Sequence, residues 1–342
     1  MKIMKKVLSV LSLILALALV FTACGTVAEE TTAVDTTAEE TTAAEKAVIN
    51  IGLLKGPTGM GAAVLLDNDE KGTANADYNL TLAGAPDVLQ TALINNELDM
   101  AALPTNVAAV LNGKTEGKVQ ILAVNTLGVI YLMSADETIK TVADLKGKTI
   151  LSAGQGTTTE YVLNYILKEN GLTVDSDVFV EYASEHAEVI SKAKSGGYEV
   201  ILLPEPFVTQ MKGQDASFKV VLDLTKEWKA LGGGELTMGC IAVRKEFAEQ
   251  NPDAVAAFLK DYEASVNAVN ADAEAAGVII EKFDIAKAAV ASKAIPNCNI
   301  TVMTGEEMKT NVAAYLQVLF NSNPKAVGGA LPSDGFYAVA GE

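Results

Sequence analysis

Histidine, arginine and tryptophan are almost absent from this 342-residue chain, which holds one of each: His186, Arg244 and Trp228. A histidine-based metal centre therefore has almost no material. A single arginine argues against a bidentate clamp on phosphate or carboxylate. The three cysteines, Cys24, Cys240 and Cys298, form no CxxC and no framework spacing. Cys240 and Cys298 are better read as two free buried thiols than as a pair. Positive charge is scarce too: the formal net charge is −17, which makes nucleic acid a poor partner. No Gly-x-Ser-x-Gly elbow is present, and neither Gly113-Lys114-Thr115 nor Gly147-Lys148-Thr149 has the earlier glycine that would make it close a phosphate loop. Gly154-x-Gly156 lacks the third glycine of a dinucleotide fingerprint. No catalytic residue, metal or cofactor is expected.

What is present begins with a segment outside the fold. Lys2, Lys5 and Lys6 precede the apolar run Val7 to Phe21, and Thr22-Ala23-Cys24 follows. About 15 apolar residues are too few for a confident membrane span and fit a signal h-region. Residues 25–46 are rich in Thr, Ala and Glu and have no aromatic residue. Such a segment cannot bury enough apolar surface to offset its ordering entropy, so it reads as a disordered acidic tether.

The folded part is organised around Lys148 to Leu167, which reads as strand, glycine turn and helix. Thr149 to Ala153 suits a buried strand. Gly154 and Gly156 permit a sharp turn. Thr157 stands three residues before Glu160, the spacing of a capping box, and a helical apolar face follows. The first N–H groups of that helix have no intrahelical partner and can meet an anionic or acceptor group. The same alternation runs through the chain. Strands are expected at Val48–Leu54, Tyr78–Ala83, Leu98–Leu103, Val178–Tyr182, Tyr198–Leu203 and Phe218–Leu222. Val119–Met133 reads as two strands, and residues 252–329 as mostly helical. Thr304 and Glu307 suggest a second capping box. The class is α/β, with parallel strands and covering helices.

An internal echo carries the functional reading. Asn95 to Asp99, Met100 to Leu103 and Pro104 match Ser195 to Glu199, Val200 to Leu203 and Pro204 without a gap. The glycine turn after Leu54 has its counterpart after Ser152. Helix starts at the carboxyl ends of parallel strands are where open α/β sheets bind ligands. Two such sheets face to face enclose a cleft, a usual place for a small molecule.

The sequence resembles type II periplasmic solute-binding proteins of ABC importers, in the branch for nitrate, sulfonates, taurine and thiamine precursors. The motifs that carry it are Leu53-x-x-Gly56-Pro-Thr-Gly59, Asn96-Glu-Leu-Asp99 through Leu103-Pro104, and Asp144-Leu-Lys-Gly-Lys148. Further ones are Leu203-Pro-Glu-Pro-Phe207, Val243-Arg-Lys-Glu-Phe247 with Asn251-Pro, and Leu331-Pro-Ser-Asp-Gly-Phe-Tyr337. Residues 1–23 resemble a lipoprotein signal, with Cys24 as the lipidated residue, though Phe21 departs from the usual leucine. The resemblance implies a two-lobe fold of mixed sheets with flanking helices. Lobe 1 is 47–132 plus 239–342 and lobe 2 is 133–238, joined through Ile130–Ser134 and Thr237–Ile241. It further implies an extracytoplasmic, lipid-anchored monomer. Such a protein closes on a small organic anion or heterocycle and delivers it to a membrane permease driven by an ATPase.

Ligand contacts follow from that resemblance. The first lobe offers Gly56, Pro57, Thr58, Gly59, Met60, Ala85, Pro86, Thr105 and Asn106. The second offers Gln155, Gly156, Thr157, Thr158, Thr159 and Glu205. Asn125 and Met238 stand near the crossovers. Threonine hydroxyls and backbone N–H groups can hold an oxyanion, and Gln155 and the asparagines both donate and accept. Glu205 suits either an amine or a solvated helix start. Met60 and Met238 are more often core, as are Trp228 and Tyr182, which otherwise could stack on a ring. The alternatives are an enzyme on the same fold, of the pyrimidine-synthesis or menaquinone-pathway type with His186 in the cleft, or a surface scaffold protein. A surface histidine is the blander reading of His186.

Overall fold

The computed structural model describes residues 46–338. The signal segment, Cys24 and all of the tether but Lys46 lie outside them. The strands are β1 (Val48–Leu54), β2 (Asp77–Ala83), β3 (Met100–Pro104), β4 (Val119–Thr126) and β5 (Ile130–Ser134). There follow β6 (Thr149–Ala153), β7 (Phe179–Ala183), β8 (Val200–Pro204), β9 (Lys219–Asp223), β10 (Gly239–Arg244) and β11 (Ile300–Met303). They form two mixed sheets flanked by helices, ordered β11-β4-β10-β3-β1-β2 and β7-β6-β8-β5-β9.

The echo in the sequence is an echo in topology. In the first sheet β1 pairs in parallel with β2 and β3, and β10 runs antiparallel between β3 and β4. In the second, β6 pairs in parallel with β7 and β8, and β5 runs antiparallel between β8 and β9. Each sheet thus receives its antiparallel strand as the chain arrives from the other. The matched strands β3 and β8 are central, and Met100–Leu103 and Val200–Leu203 are wholly buried. Both read as continuous apolar runs because both of their faces are covered. Each such Leu, Ile or Val contributes about 1.5–3 kcal/mol by leaving water.

The helix Gly305–Ser322 ties the C-terminal part to the second sheet's helices. Its Tyr315 ring lies 5.7 Å from Trp228, which in turn lies 5.0 Å from Tyr165. Trp228 is therefore core. Cys240 and Cys298 are free and buried, and burial pushes the Cys240 thiol up to about 12.

Several local expectations change. The chain leaves the first sheet through Leu127–Val129 and returns before Gly239, because Ile130–Ser134 is itself a strand of the second sheet. The C-terminal part is mostly helical, as expected, but it also contains β11, a four-residue edge strand antiparallel to β4. A helix at Leu224–Ala230 was not expected; the Asp223 carboxylate caps it by accepting from Thr225 N at 3.0 Å and Lys226 N at 3.2 Å. Neither expected capping box forms. The Thr157 hydroxyl donates back to the Gly154 carbonyl at 2.5 Å, so the helix Thr158–Glu169 has no side-chain cap from it. Thr304 gives the helix after it no side-chain cap either. A capping box does form at Thr141 and Asp144.

Candidate functional site

Strand ends and helix starts from both sheets meet around one cavity of about 130 Å3. On the first-sheet side β1 ends at Leu54, and the chain turns through Gly56 into a short helix beginning at Pro57. Gly56 has φ 135°, a conformation that favours glycine. β2 ends at Ala83 and the helix Pro86–Ile94 starts at once; β3 ends at Pro104. On the second-sheet side β6 leads through Gly154 into Thr158–Glu169, β7 into the helix His186–Lys194, and β8 ends at Pro204. Proline at N1 suits Pro57 and Pro86, since no N–H is needed there.

Of the expected contacts, Pro57, Thr58, Ala85, Pro86, Thr157, Thr158, Thr159 and Met238 line this cavity. Gln155 and Gly156 line an adjoining groove of about 620 Å3, and Gly56 another of about 490 Å3. Both grooves are shared between the two sheets' halves. The remaining candidates hold the site without lining it. Gly59 packs so closely that an added Cβ would stand 2.2 Å from the Leu54 carbonyl oxygen. Met60 is core. Thr105 is buried, and its N–H donates to the Met238 carbonyl at 3.0 Å. Asn125 Nδ2 donates to the Thr58 carbonyl at 3.2 Å and so fixes the first turn. Asn106 is wholly buried. Its Nδ2 donates to the carbonyls of Gly156 and Ala326, each at 3.1 Å, and its Oδ1 accepts from Thr158 Oγ1 at 3.1 Å.

Glu205 does not line the cavity. It is buried, and its carboxylate accepts from Thr209 N at 3.0 Å and Thr209 Oγ1 at 3.1 Å. Burial raises its pKa despite those bonds. Tyr182 is half-buried at the 620 Å3 groove. Arg244 is committed elsewhere: it donates to the Leu98 carbonyl and pairs with Asp99 at 2.6 Å.

The cavity also has walls that sequence reasoning did not select: Ser184, Glu185, His186, Pro204 and Phe207. The signal was available. The offset that carries Pro104 to Pro204 carries Gly84-Ala85-Pro86 to Ser184-Glu185-His186. His186 packs against Phe207, ring centres 5.1 Å apart and tilted by 41°. Its Nδ1 is sealed from solvent and has no partner within the described residues. Desolvation lowers its pKa from 6.5 to about 4, so the imidazole is neutral at pH 7. Lys55, the one lysine on the wall, pairs with Asp284 at 2.8 Å. Among the described residues no His/Cys/Asp/Glu group could hold a metal, and no helix is long and apolar enough to cross a membrane.

Two sheets, a crossed strand in each and a cavity between them define a two-lobe binding protein of the periplasmic type, and solved structures agree. The chain is similar to an ABC transporter from Parabacteroides distasonis, with 25% identity, a TM-score of 0.71, and 86% of this chain and 100% of that one covered. The periplasmic aliphatic sulphonate binding protein SsuA from Escherichia coli matches at 20% identity and TM-score 0.66, covering 82% of this chain and 90% of that one. The periplasmic nitrate-binding protein NrtA from Synechocystis PCC 6803 matches at 13% identity and TM-score 0.61, covering 83% and 84%. Among curated protein sequences no relative matches. The pattern of the family described as "ABC transporter, phosphonate, periplasmic substrate-binding protein" matches residues 73–294, and the chain belongs to that family.

Proposed function

We propose that this protein captures a small organic anion or heterocycle between two lobes, one built around each sheet, and hands it to an ABC permease driven by an ATPase. In this reading Cys24 carries a lipid after signal cleavage. The protein then works as a monomer on the extracytoplasmic face of the cell membrane. The carrying observation is the cavity whose wall is drawn from turns of both sheets, with Thr58 and Pro86 on one side and Thr157, Thr159 and His186 on the other. A ligand there touches both halves at once, which is what lobe closure requires. Catalysis needs an acid, base or nucleophile set beside a partner. The cavity's imidazole, His186, is tilted against the Phe207 ring and its Nδ1 has no partner among the described residues, and that favours binding over chemistry.

A thermal-shift panel tests the reading. Sulfonates, taurine, nitrate, phosphonates, thiamine pyrimidines, purines and aromatic acids are the candidates, the oxyanions because the family and its neighbours carry those names. A ligand at 100 times its dissociation constant adds about 2.7 kcal/mol. The expected result is a clear shift with one chemical class, lost when Thr157 and Thr158 are replaced. A chain that no class stabilises contradicts it.

A further inference from the structure

The family's name points to an oxyanion, but the charges built into this cavity point elsewhere. Three helices of ordinary length start at its wall, at Pro86, Thr158 and His186. Such N-termini attract anions through unpaired N–H groups and the helix dipole. Here each already has its own acid in the first turn: Asp87, Glu160 and Glu188. Glu160 accepts from Gly156 N at 2.5 Å. Glu188 accepts from Ser184 N at 2.8 Å and Ser184 Oγ at 2.6 Å. Those serine bonds, with the Lys192 ammonium, hold the Glu188 carboxyl down at about 2, so it is charged. Proline at the start of the Pro86 helix removes one donor outright.

The rest of the wall adds no free cation. Lys55 is tied to Asp284. Glu185 brings a further carboxylate, so close to Gly84 across the cleft that a Cβ on that glycine would meet Oε2 at 2.9 Å. Glu185 is the one carboxylate on the cavity wall, and an oxyanion desolvated beside it, with Lys55 already paired, is poorly compensated.

Size and shape supply the positive side. A cavity of about 130 Å3 resembles the engineered apolar cavity of about 150 Å3 that holds benzene. Phe207 and His186 make a tilted aromatic wall, against which a ring packs in offset or edge geometry. His186 Nδ1 has no partner among the described residues. A buried polar atom of that kind is costly until something bonds to it.

We infer that the cavity takes an uncharged, single-ring solute that packs on Phe207 and shares a hydrogen bond with His186, in preference to a phosphonate or sulfonate. The inference rests on the solute-binding reading and narrows it.

Calorimetric titration of the full chain at pH 8 with four probes tests it: 4-aminopyrimidine, benzene, methylphosphonate and methanesulfonate. The expected ranking puts 4-aminopyrimidine first, about tenfold or more tighter than benzene, the worth of one good hydrogen bond. Both oxyanions bind more weakly than either ring. His186→Leu erases the difference between the two rings, while His186→Gln, which can still donate and accept, keeps most of it. If an oxyanion binds more tightly than both rings, the ring assignment is wrong and the solute-binding reading stands. Ring affinities unchanged in His186→Leu overturn the role given to His186. Silence from all four probes overturns the inference, and silence across the wider thermal-shift panel removes the solute-binding reading with it. The ranking on the unmodified chain holds its value even if a His186 variant fails to fold.

Discussion

Asn106, in the first turn of the helix Thr105–Lys114 after β3, accepts a hydrogen bond at its Oδ1 from the Thr158 hydroxyl at the first helical position after β6. The two helices follow strands of different sheets, and the contact joins the two halves. Tyr315 extends it by donating to Thr158 Oγ1 at 2.9 Å, and Asn106 Nδ2 fastens the neighbouring Gly156 and Ala326 carbonyls. One buried amide therefore uses donors and acceptor together to hold both halves and the C-terminal segment in register.

Asn106→Ala leaves the Thr158 hydroxyl without its acceptor and two carbonyls without their side-chain donor. Leaving buried polar groups unpaired costs about 1–3 kcal/mol. Urea unfolding should show a loss of that order, and the binding affinity of whatever ligand the panel identifies should fall as well. A variant as stable as the parent would mean that the bridge contributes nothing to the fold.

Gly59→Ala should misplace the first turn. Its Cβ would meet the Leu54 carbonyl oxygen at 2.2 Å, which is backbone and cannot step aside as a side chain does. Overpacking of this kind costs about 1–3 kcal/mol. Because Pro57 and Thr58 sit on the cavity wall, affinity should drop together with the midpoint of thermal unfolding. Gly72→Ala, with open space around its Cβ but φ 71°, is the comparison: it should lower stability without touching affinity.

His186 makes stability depend on pH in a stated direction. Its pKa falls from 6.5 to about 4 on folding because burial penalises the imidazolium. Between those values the unfolded chain binds a proton that the native protein refuses. Stability from this group is therefore full above about pH 6.5 and declines as pH drops toward 4. Urea titrations at several pH values should show that decline in the parent and less of it in His186→Phe. Identical pH profiles for the two would contradict a half-buried, neutral imidazole.

The signal and tether make a prediction of their own. If Cys24 carries the lipid proposed for it, Cys24→Ser should release the protein from the membrane fraction into the soluble one, because the anchoring thiol is gone. Fractionation with an antibody reads this directly. A variant that stays with the membrane would require another anchor.

Much of the fold was legible because its signals are local. The apolar runs at Val48–Leu54, Met100–Leu103 and Val200–Leu203 need no partner to be recognised as buried strands. The echo between Pro104 and Pro204 exposed the doubled topology for the same reason. What escaped depends on tertiary context. β11 is a short edge strand, recruited by β4, in a stretch otherwise helical. The capping box expected at Thr157 fails because Glu160 serves Gly156 and the threonine turns to Gly154. Glu205 carries an acid's residue type into a buried cap on Thr209, which no spacing reveals. His186 and Phe207 were within reach of the echo, since His186 is the counterpart of Pro86 and Phe207 follows the counterpart of Asn106, but a lone histidine reads as surface until its neighbours are known.

Native mass spectrometry of the exported protein, purified from cells grown in rich medium, tests the central claim most directly. The account predicts a population carrying one small molecule, about the mass of a substituted single ring, that is shed on gentle activation and is absent from a Thr157/Thr158 double replacement. A spectrum holding the bare chain alone, unchanged when the probe set is added back, would contradict the claim that this cavity exists to hold a solute.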